Sequence, residues 1–583
     1  MKLYHNSRST ACRRPVGPLR SGMDVTLRLL GSAEAQSADL RVWREGQLCV
    51  IPMTRVDEDI FEAVLSAENP GLIWYDFCVT GRDGETVYYG NADDGMGGEG
   101  VQKYAPRAFQ ITVYDGTWST PDYMRHGVMY QIFPDRFYRS AVPEKTRDEI
   151  MVHTDWYDKP VLMPENGCAN VARDFFGGDL KGIAQKLPYL KDLGVTVIYL
   201  NPIFKARSNH RYDTGDYTKI DPMLGTVEDF NALCEKAREM GIRVMLDGVF
   251  SHTGDDSRYF NRYGHYPDKG ACQGKDSPYY KWFTFTHYPD RYMSWWGIDT
   301  LPTVNKHNRE YEAFICGQDG VARHWLREGA SAWRLDVADE LPMHFLRRLK
   351  KAVIKEKPDS LLLGEVWEDA SHKEAYGETR CYCTGDTLDS VMNYPLRDAL
   401  IAFLTGQGTS ADLARLIYSQ RENYPAPFYY SVMNLLGSHD RPRAINMLAG
   451  KSFEDMPYQT RDRAALTDGE LALGKERYLK ALRAVCALPG IPCVYYGDEA
   501  GVWGASDPWC RATYPWGRED RAFLEKVREV LRFRRENPVL HTGFVHLLCP
   551  DADTLKIIRA FENGKDVFGD PQEDTNLTVT IRR

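Results

Sequence analysis

The chain of 583 residues, 43% hydrophobic and 27% charged, is ordinary globular material, too long for one core and without a tract that argues for disorder. Lys and Arg number 73 against 82 Asp and Glu, a net charge of −9 with no basic run, which excludes a nucleic-acid or membrane-surface binder. No apolar stretch is long enough to span a membrane, and MKLYHNSRSTACRRPVGPLR lacks the apolar run of a secretory signal. The 13 scattered cysteines, of which Cys381 and Cys383 alone lie close together, read as reduced thiols of a cytoplasmic protein.

Residues 1–122 read as strands: VTLRLL (25–30), LRVWR (40–44), LIWYDFCVTG (72–81), TVYYG (86–90) and FQITVY (109–114) alternate or run β-branched and aromatic between turn residues, the mark of a small β-sandwich. From 123 the texture changes to alternating strand and helix. The strand VTVIYL (195–200) precedes TVEDFNALCEKAREMG (226–241), where Thr226 and Asp229 form a capping box and Val227, Phe230, Leu233, Ala237 and Met240 fall at helical spacing before Gly241. IRVMLDGVF (242–250), SAWRLDV (331–337), SLLLGEVW (360–367), SVMNLLGSHD (431–440) and IPCVYYGDE (491–499) follow as further apolar strands, with helices about 345–356, 476–488 and 519–536.

Counting VMYQIF (128–133) and LDSVMNY (388–394) gives about eight strands and no glycine-rich dinucleotide turn, so the expected fold is α/β, a (β/α)8 barrel over 123–540. The step from Asp247 to Asp336 is too long for one strand–helix–strand unit and implies an inserted subdomain at about 252–305; residues 541–583 suffice for a short C-terminal β-domain.

Successive strands end in acid or imidazole: Asp247 and His252, then Arg334 and Asp336, then Glu365, then His439 and Asp440. In a parallel barrel these ends open on one face. A single buried acid there could simply pair with arginine, and orienting Arg334 would be a sufficient task for Asp247; either histidine alone would more often be a satisfied core residue. Several acids together at the ends of apolar strands are costly without function, and one carboxylate nucleophile beside one protonated carboxyl is what retaining glycoside hydrolysis requires.

DGVFSH (247–252), WRLDVADE (333–340), GEVW (364–367) and LLGSHD (435–440) resemble the four ordered signature regions of the α-amylase superfamily, and YQIFPDRF (130–137), FFGGDLKGI (175–183), IYLNPIF (198–204), NHRYDTGDY (209–217), DTLPTVN (299–305) and GIPCVYYGDE (490–499) extend the match. The N-terminal β-domain, Trp367 two after the acid, and LPTVN ending at Asn305 are similar to the neopullulanase, cyclomaltodextrinase and maltogenic amylase branch. The resemblance implies Asp336 as nucleophile, Glu365 as acid/base and Asp440 as stabiliser of the distorted sugar. It further implies substrate contacts from Arg334, Asp247, His252, His439, Tyr212, His210, Asp213, Trp367 and Asn305, and leaves Trp295, Trp296 and Trp503 open between sugar stacking and packing. The implied partner is an α-glucan, cleaved at α-1,4 bonds with α-1,6 bonds as an open extension; hydrolysis or transfer, an α-glucosidase or amylopullulanase variant, and a homodimer all stay open.

The chain departs from that branch at its calcium loop. Ser251 stands where Asn is usual, YRSAVPEKTRD (138–148) offers Glu144 and Asp148 at unusual spacing, and only Gly178 and Asp179 remain of the usual ligands. No metal site is assigned and no cofactor is required; calcium stays open, with most of its usual ligands missing from the six or more oxygens it wants.

Overall fold

The computed structural model describes residues 1–144, 149–164 and 170–583; Asp148 lies outside the described residues. The chain divides into two compact units, one of residues 1–119, 368–389 and 411–429, the other of 120–367, 390–410 and 430–583.

The first unit is built on a β-sandwich. In one sheet Met23–Leu30 pairs with Ile60–Ala67, flanked by Arg13–Arg14 and Thr54–Asp57. In the other, Gly71–Gly81 pairs with Ala35–Arg44, Thr86–Gly90 and Phe109–Tyr114. Alternation does the sorting: Val25, Leu27 and Leu29 of one sheet and Leu40, Val42, Ile73, Tyr75 and Phe77 of the other share one apolar core. Three further strands of four or more residues, Gln47–Pro52, Thr54–Asp57 and Ile60–Ala67, accompany the five read from the sequence. The first two are almost wholly exposed, so they carry no core-facing pattern.

The second unit is the barrel: β1 (Val128–Ile132), β2 (Val195–Leu200), β3 (Arg243–Gly248), β4 (Ala332–Leu335), β5 (Leu362–Gly364), β6 (Ser390–Val391), β7 (Met433–Leu435) and β8 (Ile491–Tyr495). Parallel pairing runs β6-β5-β4-β3-β2-β1-β8-β7, and a parallel bridge from Met392 to Met433 brings the two ends together. Met129, Val197, Met245, Leu363, Met433 and Cys493 pack one buried cluster from alternate positions of these strands. The helix Val227–Glu239 starts on the expected capping box and buries Phe230, Leu233 and Ala237.

Between β3 and β4 lies the long insertion, built of turns, a hairpin of Phe285–His287 with Arg291–Tyr292, and two one-turn helices. A three-stranded antiparallel sheet of Phe544–Asp551, Thr554–Phe561 and Thr575–Arg582 forms the C-terminal end of this unit. Among the described residues no helix is long and apolar enough to cross a membrane.

Candidate active site

Asp247 ends β3, Arg334 lies in β4 with Asp336 two residues on, and Glu365 follows β5. Because side chains two apart on a strand share a face, Arg334 and Asp336 point to the same side, and parallel register sets Asp247 opposite Arg334. The guanidinium gathers all three acids. Arg334 Nη1 donates to Asp247 Oδ1 at 2.7 Å and to Asp336 Oδ1 at 3.0 Å, and Nη2 donates to Glu365 Oε2 at 2.7 Å. Arg334 is fully buried, whereas Asp336 is 6% and Glu365 5% exposed.

Three carboxylates around one cation cannot all stay ionised in a buried site, so the cluster retains a proton. Burial raises Asp336 well above the usual carboxylate range, with Arg334 opposing and Glu365 adding to the rise. Glu365 is held from both sides: Oε2 also accepts from the Val337 backbone N–H at 2.9 Å, and Oε1 accepts from Trp367 Nε1 at 3.1 Å. Val337 can make that contact because the chain turns sharply after Asp336, through a φ of 36° that a β-branched residue rarely adopts. Trp367 is fixed in turn by stacking flat on Tyr394, ring centres 3.9 Å apart.

Asp440, beyond β7, is the most open of the acids, its side chain 31% exposed; His439 Nε2 lies 3.1 Å from Oδ2 and Arg511 Nη2 3.7 Å from Oδ1. Burial followed by the Glu365 charge pushes Asp440 up to about 7. The histidines are neutral for the same reason, burial carrying His210 and His252 down to about 3 and His439 well below its ordinary value. His252 Nδ1 meets Ser251 Oγ at 2.9 Å while its buried Nε2 has no hydrogen-bond partner, a donor or acceptor ready for a ligand hydroxyl. Trp295 lies 5.5 Å from the His252 ring and stacks on Trp296, which is 78% exposed.

Tyr212 lies parallel to the His439 ring at 5.2 Å, donates to Asp247 Oδ2 at 2.8 Å and contacts His439 Nε2 at 2.6 Å. It therefore ties the β3 acid to the β7 histidine. His210 accepts the Tyr212 backbone N–H at 3.1 Å and so shapes this loop. Asp213 instead accepts from the N–H groups of Arg207 and Ser208, both 3.2 Å, and from Ser208 Oγ, within its own loop. Asn305 likewise caps a local turn, accepting from the His307 N–H at 3.1 Å. These bonds tie each side chain to its own loop.

Four residues join the site that the sequence reading did not assign. Gln131 of β1 donates to His439 Nδ1 at 2.9 Å and to Asn201 Oδ1 at 3.0 Å, which leaves the His439 proton on Nε2, facing Tyr212 and Asp440. Asn201 donates to Tyr212 Oη at 3.0 Å, and Tyr199 donates to Asp247 Oδ2 at 2.7 Å. Arg511 donates through Nε to the His439 carbonyl at 3.0 Å. Gln131, Tyr199 and Asn201 stand in YQIFPDRF and IYLNPIF, the polar residues of otherwise apolar strand ends; Arg511 had no local signal.

Of the residues left from a calcium site, Asp179 and Ser251 are both engaged within the protein. Asp179 caps the helix Leu180–Asp192, Oδ1 accepting from Gly182 N and Oδ2 from Ser140 N at 2.9 Å and Ser140 Oγ at 2.7 Å. Ser251 Oγ is engaged by His252. Among the described residues no group of three or more His, Cys, Asp or Glu side chains is placed to hold a metal ion.

A closed parallel barrel whose open end gathers three acids on one guanidinium, with neutral histidines beside them, carries the donor set of glycoside hydrolysis. The family description "Alpha amylase, catalytic domain" matches residues 131–537, well over half of the chain, and the chain belongs to this family. It is similar to an amylopullulanase of Thermoanaerobacterium saccharolyticum, 39% identical over all of this chain and 48% of that protein, and to a cyclomaltodextrinase of Geobacillus thermopakistaniensis, 33% identical over 77% and 69% of the two chains. Among solved structures, the cyclic α-maltosyl-(1→6)-maltose hydrolase of Arthrobacter globiformis superposes with a TM-score of 0.64 at 32% identity, covering 76% of this chain and 90% of that one. The chain spans about half or less of the length of the amylopullulanases it matches.

Proposed function

We propose that the chain is a retaining α-glucan hydrolase, cleaving α-1,4 bonds of maltodextrins, cyclodextrins or pullulan and some α-1,6 bonds. The observation that carries this reading is Arg334 holding Asp336 and Glu365 through two nitrogens of one guanidinium, so that a nucleophile and an acid face the same bound sugar. In the first step Asp336 attacks the anomeric carbon while Glu365 protonates the departing glycosidic oxygen, leaving a glycosyl ester on Asp336. In the second, Glu365 takes a proton from water, which attacks the anomeric carbon and frees Asp336. Asp440 and the Nε2 atom of His252 hold the sugar hydroxyls, His439 orients Asp440 and Tyr212 beside them, and Trp367 flanks the leaving-group side. A sugar hydroxyl in place of water gives transfer by the same route.

Likeness to amylopullulanase over the whole chain favours combined α-1,4 and α-1,6 cleavage over a strict cyclodextrin hydrolase. A cytoplasmic setting belongs to the same reading, supported by the free thiols of the described cysteines. A homodimer rests on the family alone and is decided by sedimentation. Calcium is not required, because the carboxylates and Arg334 supply the electrostatics.

The deciding experiment is a product chromatogram from pullulan, cyclodextrin, starch and maltotriose, with proton NMR of the first reducing sugar from maltotriose. The α-anomer is expected. The β-anomer would overturn the double displacement, and no turnover of any of the four would overturn the substrate class.

A further inference from the structure

Tyr212 reaches Asp247 and His439 from an irregular turn, residues 207–213, between the paired strands Phe204–Ala206 and Thr214–Ile220. Bonds inside the turn set its shape. Asp213 gathers the Arg207 and Ser208 N–H groups, Ser208 Oγ accepts the Arg211 N–H at 3.0 Å, and Arg211 takes a left-handed φ of 62°, uncommon outside glycine. Other bonds fasten the turn to its surroundings. From the buried side, Asn209 Nδ2 donates to the Asp174 carbonyl at 2.8 Å and to Asp174 Oδ1 at 2.9 Å. Toward the solvent side the anchor is Arg207. Its Nε and Nη2 donate to Glu149 Oε1 at 3.2 Å and Oε2 at 3.0 Å, and Nε lies 3.7 Å from Asp256 Oδ2. The guanidinium also lies 5.1 Å from the centre of the Tyr263 ring, and Asp256 is held in turn by His265 Nδ1 at 2.7 Å. One cation thus fastens the start of the Tyr212 turn both to the loop after β1 and to the insertion after β3.

An exposed ion pair adds little to a fold. This one is two-pronged, lies against a ring and is only 16% exposed on the arginine side, a geometry that lysine does not reproduce. It also borders a cavity of about 520 Å³, lined by Glu149, Arg207, Asp213, Asp256, His265 and Tyr266 among others. Truncating Arg207 therefore enlarges an existing space instead of opening a void among packed apolar side chains, which spares the fold. What it releases is the turn that carries Tyr212. A displacement of about 1 Å beside reacting groups is enough to cost about 10²-fold in rate.

We propose that Arg207 is a positioning residue of the active site, its clamp on Glu149 and Asp256 holding Tyr212 in place against Asp247 and His439. The inference rests on the hydrolase reading given above.

The test joins maltotriose kinetics of the full chain to hydrogen exchange of the turn. Arg207→Ala should lower kcat/KM by about ten- to a hundredfold, most of it in kcat, because Tyr212 stands beside the reacting sugar. Its melting temperature should stay within about 3 °C of the parent. Ethylguanidinium, at a concentration that leaves the parent unchanged, should restore part of the lost kcat by entering the vacated space, and ethylammonium should not. Glu149→Gln should lower kcat by a smaller factor alone and by nothing further when added to Arg207→Ala. Amides of residues 208–214 should exchange faster in Arg207→Ala, and those of β1 to β4 at the parent's rate. If Arg207→Ala does not fold, Arg207→Lys and Glu149→Gln, which keep the side-chain length, should show the same kinetic loss and faster exchange in milder form. Unchanged kcat/KM, a loss that ethylguanidinium does not relieve, full additivity with Glu149→Gln, or unchanged exchange would each overturn the clamp. Faster exchange of the turn in a chain whose parent turns over no α-glucan would sink the hydrolase reading and leave the clamp standing.

Discussion

At the ends of β3, β4 and β5 the acids Asp247, Asp336 and Glu365 share Arg334, whereas just past β8 Asp498 and Glu499 divide their partners among many. Asp498 accepts from Arg443 Nη1 at 2.9 Å, and Glu499 Oε1 accepts from the phenols of Tyr130 and Tyr189, the latter bonded at 2.8 Å to Tyr514. Burial pushes Asp498 up to about 6 and Glu499 up to about 7, much as it raises Asp247 and Asp336. What separates the two groups is access. Asp498 and Glu499 are fully buried, while Asp336, Glu365 and especially Asp440 reach the surface. Asp498 Oδ2 and Glu499 Oε2 lack partners too, so a perturbed or unsatisfied acid at a strand end is not in itself a site; it becomes one where a ligand can reach it.

Substitutions can break this contrast. The largest effect is expected for Asp336→Asn, which should cut maltotriose turnover by at least about 10²–10⁴-fold with the fold intact, since general acid–base partners alone are worth that much. Tyr130→Phe should leave turnover per folded molecule unchanged. Comparable losses from both would place the β8 acids in the reaction.

Arg334→Met comes next. It strands three buried acids, and losing one partner of a buried ion group costs about 3–5 kcal/mol. Urea denaturation should show that loss together with lost activity, and an unchanged midpoint would mean that the acids do not depend on the guanidinium. Tyr130→Phe removes one of two phenols from Glu499 and should cost about 1–3 kcal/mol. A variant as stable as the parent would show that Tyr189 alone suffices.

A smaller effect concerns pH. Asp440 is raised to about 7 in the folded chain, above its unfolded value, so between those two values the folded state holds a proton that the unfolded state has lost. Its contribution to stability therefore falls as pH rises from about 4 to about 7 and is flat above. Asp440→Asn should raise the melting temperature at pH 8 relative to the parent and not at pH 4. A gain of the same size at both would assign it to packing. Smallest of all is chelation: EDTA should leave the melting temperature and activity unchanged, and a drop of several degrees restored by calcium would show that ligands outside the described residues complete a site.

Much of the active-site side was legible because a parallel barrel converts sequence position into spatial position. Asp247, Arg334, Asp336, Glu365, His439 and Asp440 each sit at a strand end, and the register brings them together. The same rule did not extend to Arg511, which reaches His439 from a one-turn helix far along the chain. At Asp213 and Asn305 the short polar side chains bond their own backbone turns, a competition that spacing does not reveal. Barrel strands were read longer than they form: LDSVMNY yields a strand of two residues, because Asn393 caps the helix Tyr394–Thr405 through its side chain. In the sandwich, Thr54–Asp57 has every residue exposed and so left no alternation to find.

The guanidinium of Arg334 has a consequence for kinetics. Since Asp247, Asp336 and Glu365 lean on the same cation, a proton gained by one alters the field felt by the other two, and Asp440 feels Glu365 in turn. Protons then leave the group in collective steps, and the limbs of a pH–rate profile report the set rather than its members. Replacing Asp247, which touches no sugar in the mechanism above, should move both limbs of that profile.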